Sequence, residues 1–452
     1  GNGGNSQQNS PTLTSSLGTG RTAVSLSSGG GHTCAILDNG SVSCWGAGSN
    51  GEIGDGGTTS VTTTPTLTSS IGTGRTAVAI SAGNAHTCVI RDNGDVSCWG
   101  SGGNGELGNG DTLGRYIPTL TSSLGANRTA VAISAGHYHT CALLDNGSVS
   151  CWGYNSNGRL GNGGTANKNT PTLTSSFGAN RTAIAISSGG SHTCAILDDG
   201  NVSCWGDNWG GQLGDGTINE RNTPTQTSSL GTNRTAVTIS TGGSHTCAIL
   251  DNGDVSCWGY NPYGQLGYGG ISNQNSPTLT SSLGANRTAV AISSGNVHTC
   301  AILDNGAVSC WGDGNDGRMG NGGTGLKYTP TLTNSLGANR TATAISSGGY
   351  HTCAILDNGA VSCWGNSGDG QLGDGGMNQV NEPPIRYSDT TIIGQSTTTV
   401  VEGQPMKYSV RGSVFDNINY SQVNFLVQTP PGVVFNVGNH TLTGTPTYTT
   451  QT

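Results

Sequence analysis

The sequence predicts an all-β chain: a seven-bladed β-propeller over residues 1–385, with a small β domain after it. Three observations lead there. A unit close to HTCAILDNG-x-VSCWG begins at His32, His86, His139, His192, His245, His298 and His351. The first interval is 54 residues and the other five are 53. All fourteen cysteines fall in these units, as seven C-x9-C pairs.

Each unit is preceded by a PTLTSS-type run and a TAVAIS-type run, and is followed by a segment such as Gly158-Arg159-Leu160-Gly161-Asn162-Gly163. The runs are short and alternating or apolar, with Gly and Asn between them. No helical period appears, so the runs read as strands. Four short strands in about 50 residues, repeated seven times, is the arithmetic of a propeller. A linear solenoid needs atypical capping repeats at its ends, and the end units here look ordinary. The run Pro11-Thr12-Leu13-Thr14 is expected to complete the seventh blade, because its counterpart after the last unit has decayed to Glu382-Pro383-Pro384-Ile385.

Composition narrows the function classes. Only 9% of the 452 residues are charged, against roughly 25% in an average soluble protein. The net charge is −8, and the basic residues are scattered. That argues against a nucleic-acid surface. No run of some 18 apolar residues exists, so no membrane span is expected. No signal peptide is visible, and the start at Gly1-Asn2-Gly3-Gly4 reads as a processed or truncated one.

The cysteine pairs are Cys34 with Cys44, Cys88 with Cys98, Cys141 with Cys151, Cys194 with Cys204, Cys247 with Cys257, Cys300 with Cys310, and Cys353 with Cys363. Between them lies Asp-Asn-Gly, or Asp198-Asp199-Gly200 in the fourth unit. A three-residue turn at Asp38-Asn39-Gly40 places Cys34 opposite Cys44 on a non-hydrogen-bonded pair. Cα atoms there approach to about 4.5 Å, within the span a disulfide bridges. Each bridge would remove roughly 2.5–3 kcal/mol of unfolded-chain entropy in the simplest account. Free thiols, or zinc held by His32, Cys34 and Cys44, are the alternatives. The unit supplies no fourth metal ligand. Disulfides imply an oxidising compartment.

The seven repeated histidines read as structural, each bonding neighbouring backbone. Trp45, Trp99, Trp152, Trp205, Trp258, Trp311 and Trp364 read as packing between blades. Arg21, Arg75, Arg128, Arg181, Arg234, Arg287 and Arg340 each open a TAVAIS-type run, and should bond carbonyls or a carboxylate within their own blade. Before them stands Gly20 or Gly74, then Asn127, Asn180, Asn233, Asn286 and Asn339. Gly and Asn alternating at one position indicates positive φ. The five asparagines are also N-R-T sequons, and further sequons begin at Asn39, Asn146, Asn201, Asn419 and Asn439. In a secreted chain all ten are candidate N-glycan acceptors. The acidic stretch Asp313 to Asp316 does not fit an EF-hand loop, so no bound ion is expected.

What varies between units points to recognition. After Cys-Trp-Gly come Tyr154-Asn155, Asn208-Trp209 and Tyr260-Asn261-Pro262-Tyr263. Equivalent propeller loops gather on one face, and variable loops on a rigid scaffold carry binding. Tyr154, Trp209, Tyr260 and Tyr263 are the candidate patch.

HTCAILDNGSVSCWG followed by G-x-L-G-x-G resembles the RCC1 repeat, over residues 1 to about 385. The resemblance implies a seven-bladed propeller. The family's best-known member is a nucleotide-exchange factor, but the repeat motif does not carry that activity, and it is not transferred here. Two cysteines per repeat depart from the family pattern.

A Ser/Thr-rich linker spans 386–399, and alternating runs follow in 400–452. Pro430-Pro431-Gly432-Val433-Val434-Phe435, with Leu442-Thr443-Gly444-Thr445-Pro446, resembles an immunoglobulin-like module of bacteria and archaea. In that module one more long strand follows, whereas the sequence stops at Thr452. The expectation is a partial β-sandwich: either the natural chain continues beyond Thr452, or a strand from another molecule fills the gap, in a head-to-tail association.

No catalytic constellation stands out. His137 and His440 are the only histidines outside the repeat, and neither has an identifiable partner. The chain is expected to be no enzyme and to use no cofactor or metal. The reading is a secreted structural or adhesive surface protein, assembling into filaments through its C-terminal module. The alternative is an extracellular binding module, lectin-like or protein-binding.

Overall fold

The computed structural model describes residues 13–376 and the strands Met406–Ser409, Val433–Asn436 and Thr441–Gly444. The chain divides into a unit of residues 1–386 and a unit of 387–452. In the second, the three strands form an antiparallel sheet with Thr441–Gly444 in the middle. The linker 386–399, the sequons Asn419 and Asn439, and His440 lie outside the described residues.

The first unit is a ring of seven β-sheets. Blade 1 contains β1 (Ala23–Ser28), β2 (His32–Leu37), β3 (Val42–Ala47) and β4 (Val61–Leu67), hydrogen-bonded in that order. Five further blades repeat this pattern. The PTLTSS-type run that precedes each unit is therefore the outer strand of the blade before it. Blade 7 supplies only Ala342–Ser347, His351–Leu356 and Val361–Gly365. Leu13 completes it by bridging to Ser362, with Thr14 N donating to Val361 O at 3.3 Å. The early run thus closes the ring, as expected.

Burial follows strand position. β2 is buried throughout and β3 nearly so, which is why their residues, His32 apart, are small, apolar or sulfur-bearing on both faces. β4 is the exposed edge, and it tolerates Pro65, whose missing N–H would break an inner ladder. Each interblade core draws on two neighbours. Trp45 packs with Cys353, Ile355, Val361 and Leu372 of blade 7, and Trp258 packs with Cys194, Ile196, Val202 and Leu213 of blade 4. All seven repeated tryptophans are fully buried.

All seven expected disulfides are present, each with Cα–Cα 4.1 Å. Cys34 bonds Cys44, Cys88 bonds Cys98, Cys141 bonds Cys151 and Cys194 bonds Cys204. Cys247 bonds Cys257, Cys300 bonds Cys310 and Cys353 bonds Cys363. Leu37 N donates to Ser41 O, so the ladder alternates back to a non-hydrogen-bonded pair at Cys34 and Cys44, as the turn dictates. With every one of these sulfurs in a disulfide, the free-thiol and zinc alternatives fall away.

Two faces follow from strand direction. The β2–β3 turns and the β4-to-β1 connectors lie together on what we call the turn face. There Arg21 pairs with Asp38, and the six equivalent arginines pair with Asp92, Asp145, Asp198, Asp251, Asp304 and Asp357. Each pair is internal to one blade, as anticipated. The β1–β2 and β3–β4 loops form the opposite, loop face.

Candidate recognition face

The histidines differ from expectation. Their partner is not backbone but a threonine hydroxyl on the next blade. His32 Nε2 meets Thr87 Oγ1 at 2.9 Å, and the pattern runs through all blades until His351 Nε2 meets Thr33 Oγ1 at 2.8 Å. Each threonine donates its one proton to a carbonyl of the preceding blade's β3–β4 loop, such as Glu52 O or Arg159 O. Most of the tryptophan indoles donate to these same carbonyls. A hydroxyl that donates there must accept from the histidine, so Nε2 carries the proton and Nδ1 is bare. Burial pushes His86, His192, His245 and His351 down to about 3. The histidines are neutral struts between blades, and none is placed to act as an acid or base at a surface.

A second closed ring lies nearer the axis. A serine hydroxyl of each β1-type strand accepts the backbone N–H of the next blade: Ser27 from Ala82, Ser81 from Ala135, and so on until Ser346 accepts from Ser28. Inside it, the glycine loops enclose an axial cavity of about 90 Å³. His137 of blade 3 and Asn296 of blade 6 meet at its mouth, Nε2 to Oδ1 at 2.8 Å. Burial lowers the His137 pKa, and its bond to Asn296 partly opposes this. Gly190 is needed beside it, because a Cβ there would overlap Gly243 O and lie 3.1 Å from the His137 ring.

Around this mouth the variable loops present aromatic side chains. In each dipeptide singled out from sequence the two residues divide the work. Asn155, Asn208 and Asn261 are fully buried and fasten the loop. Asn208, for example, accepts from Leu213 N and donates to Thr217 O and Asn219 O. The aromatic neighbour is turned outward. Trp209 packs on Tyr260 with the rings tilted at 55° and 4.7 Å between centroids, and Tyr260 meets Tyr263 edge-on at 6.4 Å. Asp207 accepts from Trp209 N, and burial raises its pKa.

The predicted patch is only partly one cluster. Trp209, Tyr260 and Tyr263 adjoin. Tyr154 instead packs on Tyr138 at 6.4 Å, under Arg159 at 4.7 Å. The loop face also holds Tyr350, with Arg318 5.2 Å from its ring. A depression of about 450 Å³ is lined by Tyr260, Tyr263, Tyr350, Asp313, Arg318 and His137, among others. Asp313 pairs with Arg318 and accepts from Asn315 N, so the acidic stretch serves the loop itself. Tyr138, Tyr350, Arg159 and Arg318 were not singled out from sequence. The signal was available: the tyrosines stand where other repeats carry Gly31, Ala85, Ser191, Ser244 or Val297, and the arginines where the others carry Gln or Glu.

Among the described residues, no group of three or more His, Cys, Asp or Glu could hold a metal ion, and no helix is long and apolar enough to cross a membrane.

Comparison with known proteins agrees with this architecture. The ultraviolet-B receptor UVR8 of Arabidopsis thaliana is 30% identical over 368 residues, spanning 81% of this chain and 82% of the receptor. The human E3 ubiquitin-protein ligase HERC2 is 31% identical over 292 residues, which is 64% of this chain but 6% of that enzyme. The structure of yeast RCC1 (Prp20) bound to Kap60 superposes with a TM-score of 0.67 at 19% identity, over 85% of this chain and 89% of that one. The profile of the RCC1-like domain matches residues 1–278 and 118–403. The chain therefore belongs to the RCC1-like domain family.

Proposed function

We propose that the chain is an extracellular binding module that docks a partner protein on the loop face of its propeller. The carrying observation is the set of exposed aromatics held on rigid loops there: Trp209 (53% exposed), Tyr350 (50%), Tyr138 (44%) and Tyr263 (37%). Tyrosine, tryptophan and arginine dominate the energetics of protein interfaces. Tyr350 lies against the buried Arg318. The aromatics come from blades 3, 4, 5 and 7, a spread wider than a single saccharide needs, which favours a protein over a glycan as partner. The fourteen paired cysteines support the extracellular setting. Assembly through residues 400–452 gains no support from the described part of the chain.

The test compares capture of partners from native surroundings by three forms of the full chain. Wild type should retain a partner that Trp209→Ala combined with Tyr263→Ala and Tyr350→Ala loses. A turn-face change, Arg234→Ala, should leave capture intact. Loss only with the turn-face variant would overturn the assignment. Glycan-array binding abolished by Trp209→Ala would replace the protein partner with a saccharide.

A further inference from the structure

We propose that the turn face carries N-linked glycans, at Nδ2 of Asn127, Asn180, Asn233, Asn286 and Asn339, leaving the loop face bare. The inference rests on the extracellular reading above, but a different set of residues carries it.

Each of these asparagines lies in a β4-to-β1 connector, one residue before the arginine of the turn-face ion pair. All five have φ between 55° and 58° and are exposed. Their backbone explains why the position takes Asn or Gly, but it does not explain the amide. Gly20 and Gly74 satisfy the same turn with φ of 68°, and a Cβ built on either meets nothing within 4 Å. A side chain here therefore leaves the surface straight into solvent. None of the five amides bonds to a described residue. They are idle in the fold, and each stands in an N-R-T sequon.

A second observation concerns what surrounds them. Four residues after Asn127, Asn180, Asn233 and Asn286 stand Val131, Ile184, Val237 and Val290, each 57–58% exposed. A bulge in the β1-type strand turns this residue out of the ladder. The arginines and aspartates nearby neutralise one another. The turn face thus carries little net charge and exposes branched aliphatics, which invites association. Glycans on the adjacent asparagines would cover it.

The other sequons differ in a way that makes the proposal specific. Asn146 is exposed, and its Oδ1 accepts from Ser148 N, leaving Nδ2 open. Asn39 is similar, with its Oδ1 accepting from Ser41 N. Asn201 is half-buried and spends its Nδ2 on Asp199 Oδ2 at 2.9 Å, so a glycan there would cost the folded chain that bond. In the modification step, Nδ2 bonds to the anomeric carbon of a lipid-linked oligosaccharide. The bond from that carbon to the lipid phosphate breaks, the phosphate leaves with the electron pair, and an amide proton passes to base.

The experiment uses the full chain from its native source, or from a secretory host that performs N-glycosylation. Peptide N-glycosidase in ¹⁸O-water marks every formerly modified asparagine as labelled aspartate, read by tandem mass spectrometry. Label at the five connector asparagines and none at Asn201 is expected. Bare connector asparagines in a chain whose cysteines are all paired would overturn the glycan proposal and leave the extracellular reading standing. Free thiols would overturn both. A quintuple Asn→Gly variant uses the residue that two blades already carry, so it should fold. It should elute as multimers where the glycosylated chain elutes as monomer. Monomeric elution at equal concentration would refute the shielding role.

Discussion

Mild acid should unfold this propeller with its disulfides intact, because the ring of seven histidines is held neutral. The bare Nδ1 atoms of His32, His139, His192, His245, His298 and His351 are buried without partners. The preceding glycine packs on each ring: a Cβ on Gly29 would overlap Cε1 of His32 and lie 2.7 Å from its Nδ1. No water fits there to solvate a charge. Burial accordingly lowers His32 to about 4 despite Glu52, and holds His139 and His298 well below the ordinary value, with Arg159 and Arg318 adding repulsion. In the unfolded chain the same rings titrate near 6.5. The folded pKa values are depressed, so this stability is fully present above pH 6.5 and is lost as pH falls toward the folded values. At pH 5 each histidine would contribute about 2 kcal/mol to unfolding, and seven would contribute about 14 kcal/mol relative to pH 8. Domains are typically stable by only about 5–15 kcal/mol. Between pH 6 and 5 the expected slope is about 8 kcal/mol per pH unit, close to six protons taken up on unfolding. Carboxylates held low, such as Asp111 by the N–H of Leu113 and by Arg115, add their loss only nearer pH 4. The assay is guanidinium unfolding of the oxidised protein at several pH values, followed through the fluorescence of the buried tryptophans. A slope under about 3 kcal/mol per unit would mean that most of the rings already titrate in the folded state. The neutral-strut argument would then be wrong.

Other expectations follow from the same geometry. Thr140→Val strands the Nε2–H of His86, while the carbonyl of Glu106 keeps the indole N–H of Trp152, and should cost about 1–3 kcal/mol. Thr140→Ser should recover most of it in a thermal melt. Gly83→Ala would drive a Cβ into Gly136 O, so a large fall in melting temperature is expected, whereas Gly74→Asn should be neutral. Arg234→Ala removes an exposed pair with Asp251 and should change stability by less than about 1 kcal/mol. All fourteen cysteines are fully buried. Reduction by dithiothreitol at neutral pH should therefore track global unfolding, and thiols that appear while the tryptophan signal is still native would contradict the packing.

How much of this was legible depended on whether a residue's partner is set by its own repeat or by ring closure. Cys34 and Cys44 share one hairpin, so turn length and ladder alternation dictate their pairing. Arg21 precedes and Asp38 follows one antiparallel strand pair, which brings them to the same end of it, and the same local reasoning reaches them. The histidines read as structural, but with the wrong partner, because His32 bonds Thr87 across an interblade contact that no single repeat contains. The position of Asn127 was legible as positive φ because Gly and Asn exchange there. Whether its amide is idle was not, since that depends on what the ring leaves open. The recognition face was the hardest to read. His137 and Asn296 are 159 positions apart and meet only because seven blades bring blades 3 and 6 across one axis. Tyr350 and Arg318 likewise meet at a blade boundary. A repeat broadcasts its scaffold seven times, whereas a binding face is built from the places where one copy departs from the rest. Departures at the inner loop, such as His137, Tyr138, Asn296 and Tyr350, are therefore where substitutions should alter recognition while leaving the fold intact.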